Sequence, residues 1–583
     1  MLPYLANLTA FHSADPNRLR ELETLLSQQA PSCPIVRAHP NWIVQMRPLP
    51  HGPEFTATLA ENGLFFVEGP EYFQSKLGEI NAHPLLHALR QDDPDFLKFD
   101  ADLGFLHIDT EGQATLVRSS AGRVPLYVWA LAGVVAISST LQQRIHCFPD
   151  HPADLDPLVC AMHASGVLVF PNGRTSLAGV QMLETGHFLR VRVDGVAHPR
   201  KYWPVPCATL TPTPAGEWLD RAAELRDLLS QNLDRELSET HNNLVSFSGG
   251  VDSSCVVSLG RRLAKPIVTY SLWPPGGSLN TPQNQRIERI RKEFNVTEHL
   301  THELSIGVRA EFLMLSPPLP LFQFHPVLCY LPELVRRWQP VTLTGGEYAD
   351  RLLGGRGQTL WDLCRDSSLG VLWRSTVVKD FVRLFAARTL GEVGPGRKFR
   401  GSPYALALKS WIRTEVKEEY GAWLQEGSAE AANDSFPRWH LRQRIRMNAA
   451  ITMNWEACSR LNVRRTYPFL TRKLLDLALT THPADHYGRS PRQGRSSAKL
   501  LLREALHALV PSANLYQTDK PLPNRVPKVQ IPPNPWPGRL TGLDELAPIV
   551  SQELLGPLSS QAVGPFDALL ILGLLNIVRS LRN

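Results

Sequence analysis

Paired cysteines are missing from this chain. Its eight cysteines (Cys33, Cys147, Cys160, Cys207, Cys255, Cys329, Cys364 and Cys458) form no C-x-x-C motif and stand at no metal-ligand spacing from histidine. That excludes a zinc ribbon and a disulfide framework, and points to small buried thiols in a reducing compartment. Long apolar runs are missing too. The most apolar stretch, 568–575, is too short to span a bilayer, and no charged-then-apolar signal segment is present. A cytoplasmic protein with no membrane association is expected. Excess charge is small: the net value is +6, spread along the chain, with no aromatic-interleaved basic stripe. Nucleic acid is therefore not an expected partner. The densest basic stretch, with Arg489, Arg492 and Arg495, reads as a solvated loop. No internal repeat occurs.

What is present fits a soluble globular protein. Apolar residues make up 43% and charged residues 20%, and 583 residues exceed one compact domain. The clearest linker is the Pro/Thr-rich segment 204–214. Before it, short alternating runs at 113–117, 125–129, 134–138 and 187–193 predict antiparallel strands with a few helices. After it, Trp218, Ala222, Leu225, Leu229 and Leu233 recur at helical spacing. Strands at 267–272 and 341–343, with a helix at 285–294, then predict a parallel sheet with ligand at the C-terminal ends of its strands. The remainder reads as mainly helical, with a proline-rich stretch at 521–537 and a last apolar helix.

The most informative residues are 246–254, SFSGGVDSS, between the apolar pair Leu244-Val245 and a helix-compatible run. Strand, glycine turn and helix follow in that order. Gly249 and Gly250 let backbone N–H groups approach an anion, and the helix beginning at Val251 adds the positive end of its dipole. Ser248, Ser253 and Ser254 supply hydroxyls. Asp252 would repel a phosphate unless a metal ion lay between them, so the segment predicts pyrophosphate with Mg²⁺. It is not a Walker A loop, because no Gly-Lys-Ser/Thr follows the turn.

This loop resembles the pyrophosphatase loop of enzymes that split ATP into AMP and pyrophosphate, and the asparagine synthetase superfamily fits best. The implied chemistry activates a carboxylate as an acyl-adenylate and passes it to an amine. ATP and Mg²⁺ are the implied cofactors, with the nucleotide held by 246, 248–254, Ser271, Leu272, Gly345 and Gly346. A second segment, LTGGEYADRLLGG at 343–355, resembles the family's second signature and pairs Asp350 with Asp252 as metal ligands. It is one residue longer than the family pattern, and Arg351 stands where asparagine synthetases carry glutamate. Glu347 and Tyr348 fall near the catalytic tyrosine of β-lactam synthetases and are candidates for the base. Lys520 falls where the family places a lysine over the acyl-adenylate, with Lys528 close by. Lys499 and Arg503, one helical turn apart, read as a structural or solvated face.

The N-terminal segments 117–128, 135–145, 183–191 and 202–205 resemble landmarks of the family's class-II glutaminase domain. That domain uses an N-terminal cysteine as its nucleophile, whereas residue 2 here is Leu2 and the first cysteine is Cys33. The resemblance thus implies a degenerate, β-rich glutaminase-like (Ntn-type) domain over 1–205. A linker at 206–214 and an α/β synthetase domain of the ATP pyrophosphatase type over 215–583 follow it. Within the superfamily it favours a lasso peptide cyclase, in which an Asp or Glu side chain of a short ribosomal peptide is joined to that peptide's N-terminal amine as a macrolactam. A leader peptidase and a leader-binding protein of the same pathway are the implied partners. The alternatives are a β-lactam synthetase-like enzyme, a glutamine-independent asparagine synthetase-like ligase, and a non-catalytic scaffold. The tryptophans Trp361, Trp373, Trp411, Trp423 and Trp439 either line a peptide groove or serve ordinary helical packing.

Overall fold

Period-two alternation builds the first two hundred residues into sheets. In the computed structural model the described residues are 6–48, 63–68, 102–204, 213–273, 282–303, 326–354, 408, 412–430 and 445–509, with short interruptions in several ranges. One antiparallel sheet runs in the order β2-β3-β1-β8-β7-β9. Its strands are β1 (Ala6–Ser13), β2 (Ile35–His39), β3 (Trp42–Pro48), β7 (Tyr127–Leu131), β8 (Val134–Ser138) and β9 (Gln181–Met182). A second runs β11-β10-β6-β5-β4, with β12 also paired to β10. It comprises β4 (Leu64–Glu68), β5 (Gly104–Ile108), β6 (Ala114–Arg118), β10 (His187–Arg192), β11 (Gly195–Val196) and β12 (Arg200–Lys201).

Alternate side chains of β1 serve different layers, as the pleat requires. Leu8 and Ala10 enter the core between the sheets with Val44, Leu106, Leu116 and Leu189. Phe11 faces the other way, onto Leu19, Leu22 and Leu26 of the helix Pro16–Gln29.

The C-terminal region is a five-stranded sheet, wholly parallel, in the order β15-β14-β13-β16-β17. Its strands are β13 (Asn243–Ser246), β14 (Ile267–Trp273), β15 (His299–Glu303), β16 (Thr342–Thr344) and β17 (Arg464–Arg465). The chain builds outward from β13 to β14 and β15, then returns to β13's other flank for β16 and β17. The strand order reverses at β13, and the crevice beyond its C-terminal end is where such sheets take ligands. Both faces are covered. Val245 and Ile267 meet the helices Trp218–Glu236, Val251–Arg262 and Leu500–His507. Leu244, Val268 and Leu343 join the cluster that contains Phe11 and Trp129.

The two regions are also bound by polar contacts. Arg123 is buried between Glu68, 2.7 Å away, and Glu236 at the end of the helix Trp218–Glu236, 2.5 Å away. Burial alone would lower the pKa of this guanidinium, but the two carboxylates more than offset it and raise it. Asp102 accepts from the Arg472 amide at 3.0 Å, and the Leu141 amide donates to Glu456 at 2.7 Å.

Three expectations are narrowed. Arg489 ends a strand, β18 (Tyr487–Arg489), paired with β19 (Ser496–Ala498), so the basic loop is closed at its base by a hairpin. Trp423 does not line a groove: it is buried and stacked on Tyr420 at 5.8 Å, because an indole in a helix gains more by packing than by exposure. Lys499 and Arg503 are not a solvated face; both are buried. Trp361, Trp373, Trp411, Trp439, most of the linker, and the closing proline-rich and apolar segments lie outside the described residues. The described Cys147, Cys160, Cys255 and Cys458 are buried free thiols, and Cys33 is half-buried.

Candidate active site

The SFSGGVDSS segment sits at the switch point. Ser246 ends β13, and Phe247 continues the ladder by donating its amide to the Tyr270 carbonyl at 2.9 Å. The Ser271 hydroxyl donates to the Phe247 carbonyl at 2.5 Å, so Ser271 latches the loop to β14. Leu272 follows it in β14. Gly249 then takes φ +66°, a left-handed conformation that a side chain resists, and Gly250 leads into the helix Val251–Arg262. Within the turn, the Ser248 amide donates to Ser253 Oγ at 3.2 Å, and Ser253 Oγ donates to the Gly250 carbonyl at 3.3 Å. Ser254 Oγ is buried and has no hydrogen-bond partner among the described residues. The first-turn amides of Val251, Asp252 and Ser253 complete an N-terminal cradle suited to anions.

The second motif meets the first at Gly346. A Cβ there would lie 2.5 Å from Asp252 Cβ and 2.7 Å from the Ser253 nitrogen, so only glycine admits this approach. Beyond it, Tyr348 turns the chain through φ +74° and starts the short helix Ala349–Leu352, which carries Asp350. Tyr348 is buried, its ring edge-on to Tyr467 at 6.0 Å. Glu347 is ion-paired with Arg465 of β17, and its carboxylate lies back over Gly345. Burial opposes the charge on Arg465, but Glu347 and the flanking tyrosines hold its pKa above the usual value. A carboxylate so engaged is poorly placed to act as a free base.

Asp252 and Asp350 converge on one cation. The group they share is Lys499 Nζ, 2.5 Å from Asp252 Oδ2 and also in contact with Asp350 Oδ1. Lys499 lies between β19 and the helix Leu500–His507, at φ +57°. Leu500, Leu501, Leu502 and Leu506 bury that helix in the apolar cluster of the sheet's outer face, which sets the lysine at the strands' C-terminal ends. Sequence reasoning missed this role. The signal was a lone lysine ahead of an unbroken leucine run, at a helix boundary and not within the helix. Two aspartates converging on one cation suit a hard divalent ion that takes its other oxygens from phosphate and water, so the donor set fits Mg²⁺.

Two further residues went unnoticed. Arg286, in the helix Pro282–Glu293, donates through Nη1 to the Gly249 carbonyl at 3.1 Å. His299 stands 2.9 Å from Thr269 Oγ1 and 3.4 Å from Ser271 Oγ. Burial, aided by Arg291, lowers its pKa to about 4, so the imidazole beside the latch is neutral. Lys520 and Lys528 lie outside the described residues.

Among solved structures, the chain is similar to a glutamine phosphoribosylpyrophosphate amidotransferase of B. subtilis, at 9% identity and TM-score 0.23 over 51% of this chain and 91% of that one. It is also similar to an NH3-dependent NAD synthetase of Campylobacter jejuni, at 14% identity and TM-score 0.18 over 42% and 95%. A third is an NMN synthetase of Francisella tularensis, at 15% identity and TM-score 0.17 over the same shares, 42% and 95%. No curated protein sequence matches. The asparagine synthase family model matches residues 224–528, which hold both glycine motifs, both aspartates and Lys499, and the chain belongs to that family.

Proposed function

We propose that this chain is an ATP-dependent carbon–nitrogen ligase that releases AMP and pyrophosphate and closes a macrolactam in a ribosomally made peptide. The observation that carries the adenylating part is the convergence of Asp252 and Asp350 on one cation position beside the Gly249–Gly250 turn. Family membership supports an ATP-dependent amide-bond ligase in general. The first half-reaction joins a substrate carboxylate oxygen to the α-phosphorus of ATP and expels pyrophosphate. The second joins the amine nitrogen to the acyl carbon, expels AMP and releases a proton.

In that scheme the amides of the first helical turn and the Ser253 and Ser254 hydroxyls hold the pyrophosphate portion. Asp252 and Asp350 would hold Mg²⁺, which when bound neutralises charge developing on the leaving group. Lys499, whose ammonium occupies the two carboxylates here and must yield them to the metal, supplies a second cation beside the pyrophosphate, and Lys520 is the proposed donor to the acyl oxygen in the second step.

The peptide substrate is supported by the length of chain between the second motif and the closing helices, which gives room to shape a site larger than ammonia needs. The glutaminase-like reading of the N-terminal region, in which Leu2 stands where the family's cysteine would, fits an amine that comes from the substrate itself. Two of its thiols are buried: burial pushes Cys147 up to about 12 and Cys160 well above its usual value. The cytoplasm is the proposed compartment; no described helix is long and apolar enough to cross a membrane. The test is incubation with ATP, Mg²⁺ and short peptides that carry an internal Asp or Glu. AMP and a product lighter by one water are expected. ADP as the product would sink the adenylation reading, and asparagine formed from aspartate and ammonia would replace the peptide.

A further inference from the structure

We infer that Arg286 is a positioning residue of the pyrophosphate cradle, which aims the Gly250 amide at the bound anion. The inference rests on the nucleotide reading above and assigns a residue outside both glycine motifs to that site. A trans peptide is planar, so its carbonyl and its amide N–H point in opposite directions. The chain has no cis peptide among the described residues, so this holds for the Gly249–Gly250 link. Arg286 Nη1 holds the Gly249 carbonyl at 3.1 Å. Fixing that oxygen toward Arg286 fixes the Gly250 N–H toward the opposite side of the plane.

That N–H is only loosely engaged within the protein: its contact is Ser248 Oγ at 3.4 Å, beyond the usual range for N–H···O. It is available to a stronger acceptor, and a phosphate oxygen is one. The need for an external clamp follows from the turn itself. With Gly249 at φ +66° and a second glycine next to it, the link has more rotational freedom than any other residue pair would allow. Helix packing cannot restrain it, because Gly250 precedes the helix as its N-cap and has no side-chain cap bond. Arg286 comes from a separate helix, whose Ile287 and Ile290 are anchored in the apolar cluster of the sheet's outer face. A rigid neighbour therefore restrains a flexible turn, and it brings a permanent positive charge to the outer side of the anion site.

The experiment measures binding of inorganic pyrophosphate and of AMP to the full chain by calorimetry, for wild type, Arg286→Met and Arg286→Lys. Wild type should bind pyrophosphate with Mg²⁺; absence of that binding overturns the nucleotide reading and this inference together. Given wild-type binding, Arg286→Met should weaken pyrophosphate about tenfold to a hundredfold, the range for losing one charge-assisted hydrogen bond. AMP affinity should be unchanged. Arg286→Lys, which keeps one cationic donor, should recover most of the loss. Equal weakening of both ligands, or no weakening of pyrophosphate, overturns the assignment of Arg286 and leaves the nucleotide site intact.

Discussion

Replacing Lys499 by methionine keeps most of the stem's volume and removes the ammonium that joins the two motifs. At 2.5 Å and an effective dielectric near 20, the attraction to Asp252 is about 7 kcal/mol before desolvation is subtracted. Breaking one partner of a buried pair typically costs about 3–5 kcal/mol net, because a buried charge is left behind. Asp350 is 62% exposed and water screens its share, so about 3 kcal/mol is expected here. If the matched segment 224–528 melts as a unit, that corresponds to a fall in Tm of about 5 °C. Magnesium should reverse the sign. In wild type a divalent ion must displace an ammonium from the aspartates, whereas in Lys499→Met the position is already vacated. Mg²⁺ should therefore raise the variant's Tm by more than wild type's, while adenylation, followed by ATP–pyrophosphate exchange, falls at least tenfold. Melting curves with and without Mg²⁺ decide the point. An equal or smaller Mg²⁺ shift in the variant would show that Asp252 and Asp350 do not share a metal position.

Gly346→Ala should abolish exchange activity and destabilise the fold by several kcal/mol, since its Cβ would fall 2.5 Å from Asp252 Cβ; normal exchange kinetics would contradict the interlock. Arg123→Met should cost about 3–5 kcal/mol in denaturant unfolding by leaving Glu68 and Glu236 facing each other in the interior. His299, neutral in the fold with a pKa lowered from 6.5 to about 4, contributes stability that is present above pH 6.5 and lost as pH falls toward 4, because the unfolded chain takes up the proton first. His299→Gln should flatten that part of the stability–pH curve, by up to about 3 kcal/mol between the two limits. An unchanged curve would mean that the imidazole is not held neutral.

The parts of the site that follow each other in the chain were legible in the sequence. Strand, glycine turn and helix at Leu244–Val257 are a local pattern, and the structure forms them where expected. The resemblance set Asp350 and Asp252 around one Mg²⁺; the structure sets both against Lys499 Nζ. What lay hidden depends on contacts between distant segments. Lys499 is separated from Asp252 by 247 residues, and its spacing to Arg503 imitates a helix face because the helix begins one residue later. Arg286 carries no motif at all; its meaning lies in a carbonyl 37 residues away. Trp423 left two readings open for a related reason: a tryptophan in a helix looks the same in sequence whether it meets a ligand or, as here, Tyr420.

The apolar interior that runs from Phe11 and Trp129 to Leu244, Val268 and Leu343 has an evolutionary consequence. One face of the nucleotide sheet has no surface of its own, since the material that covers it belongs partly to the N-terminal region. A lineage that no longer needed an activity housed there could let its chemistry decay by single substitutions. Loss of the whole segment is opposed, because it would bare an apolar flank of the sheet. The segment is thereby held to its shape by the sheet it covers, whatever chemistry it carries.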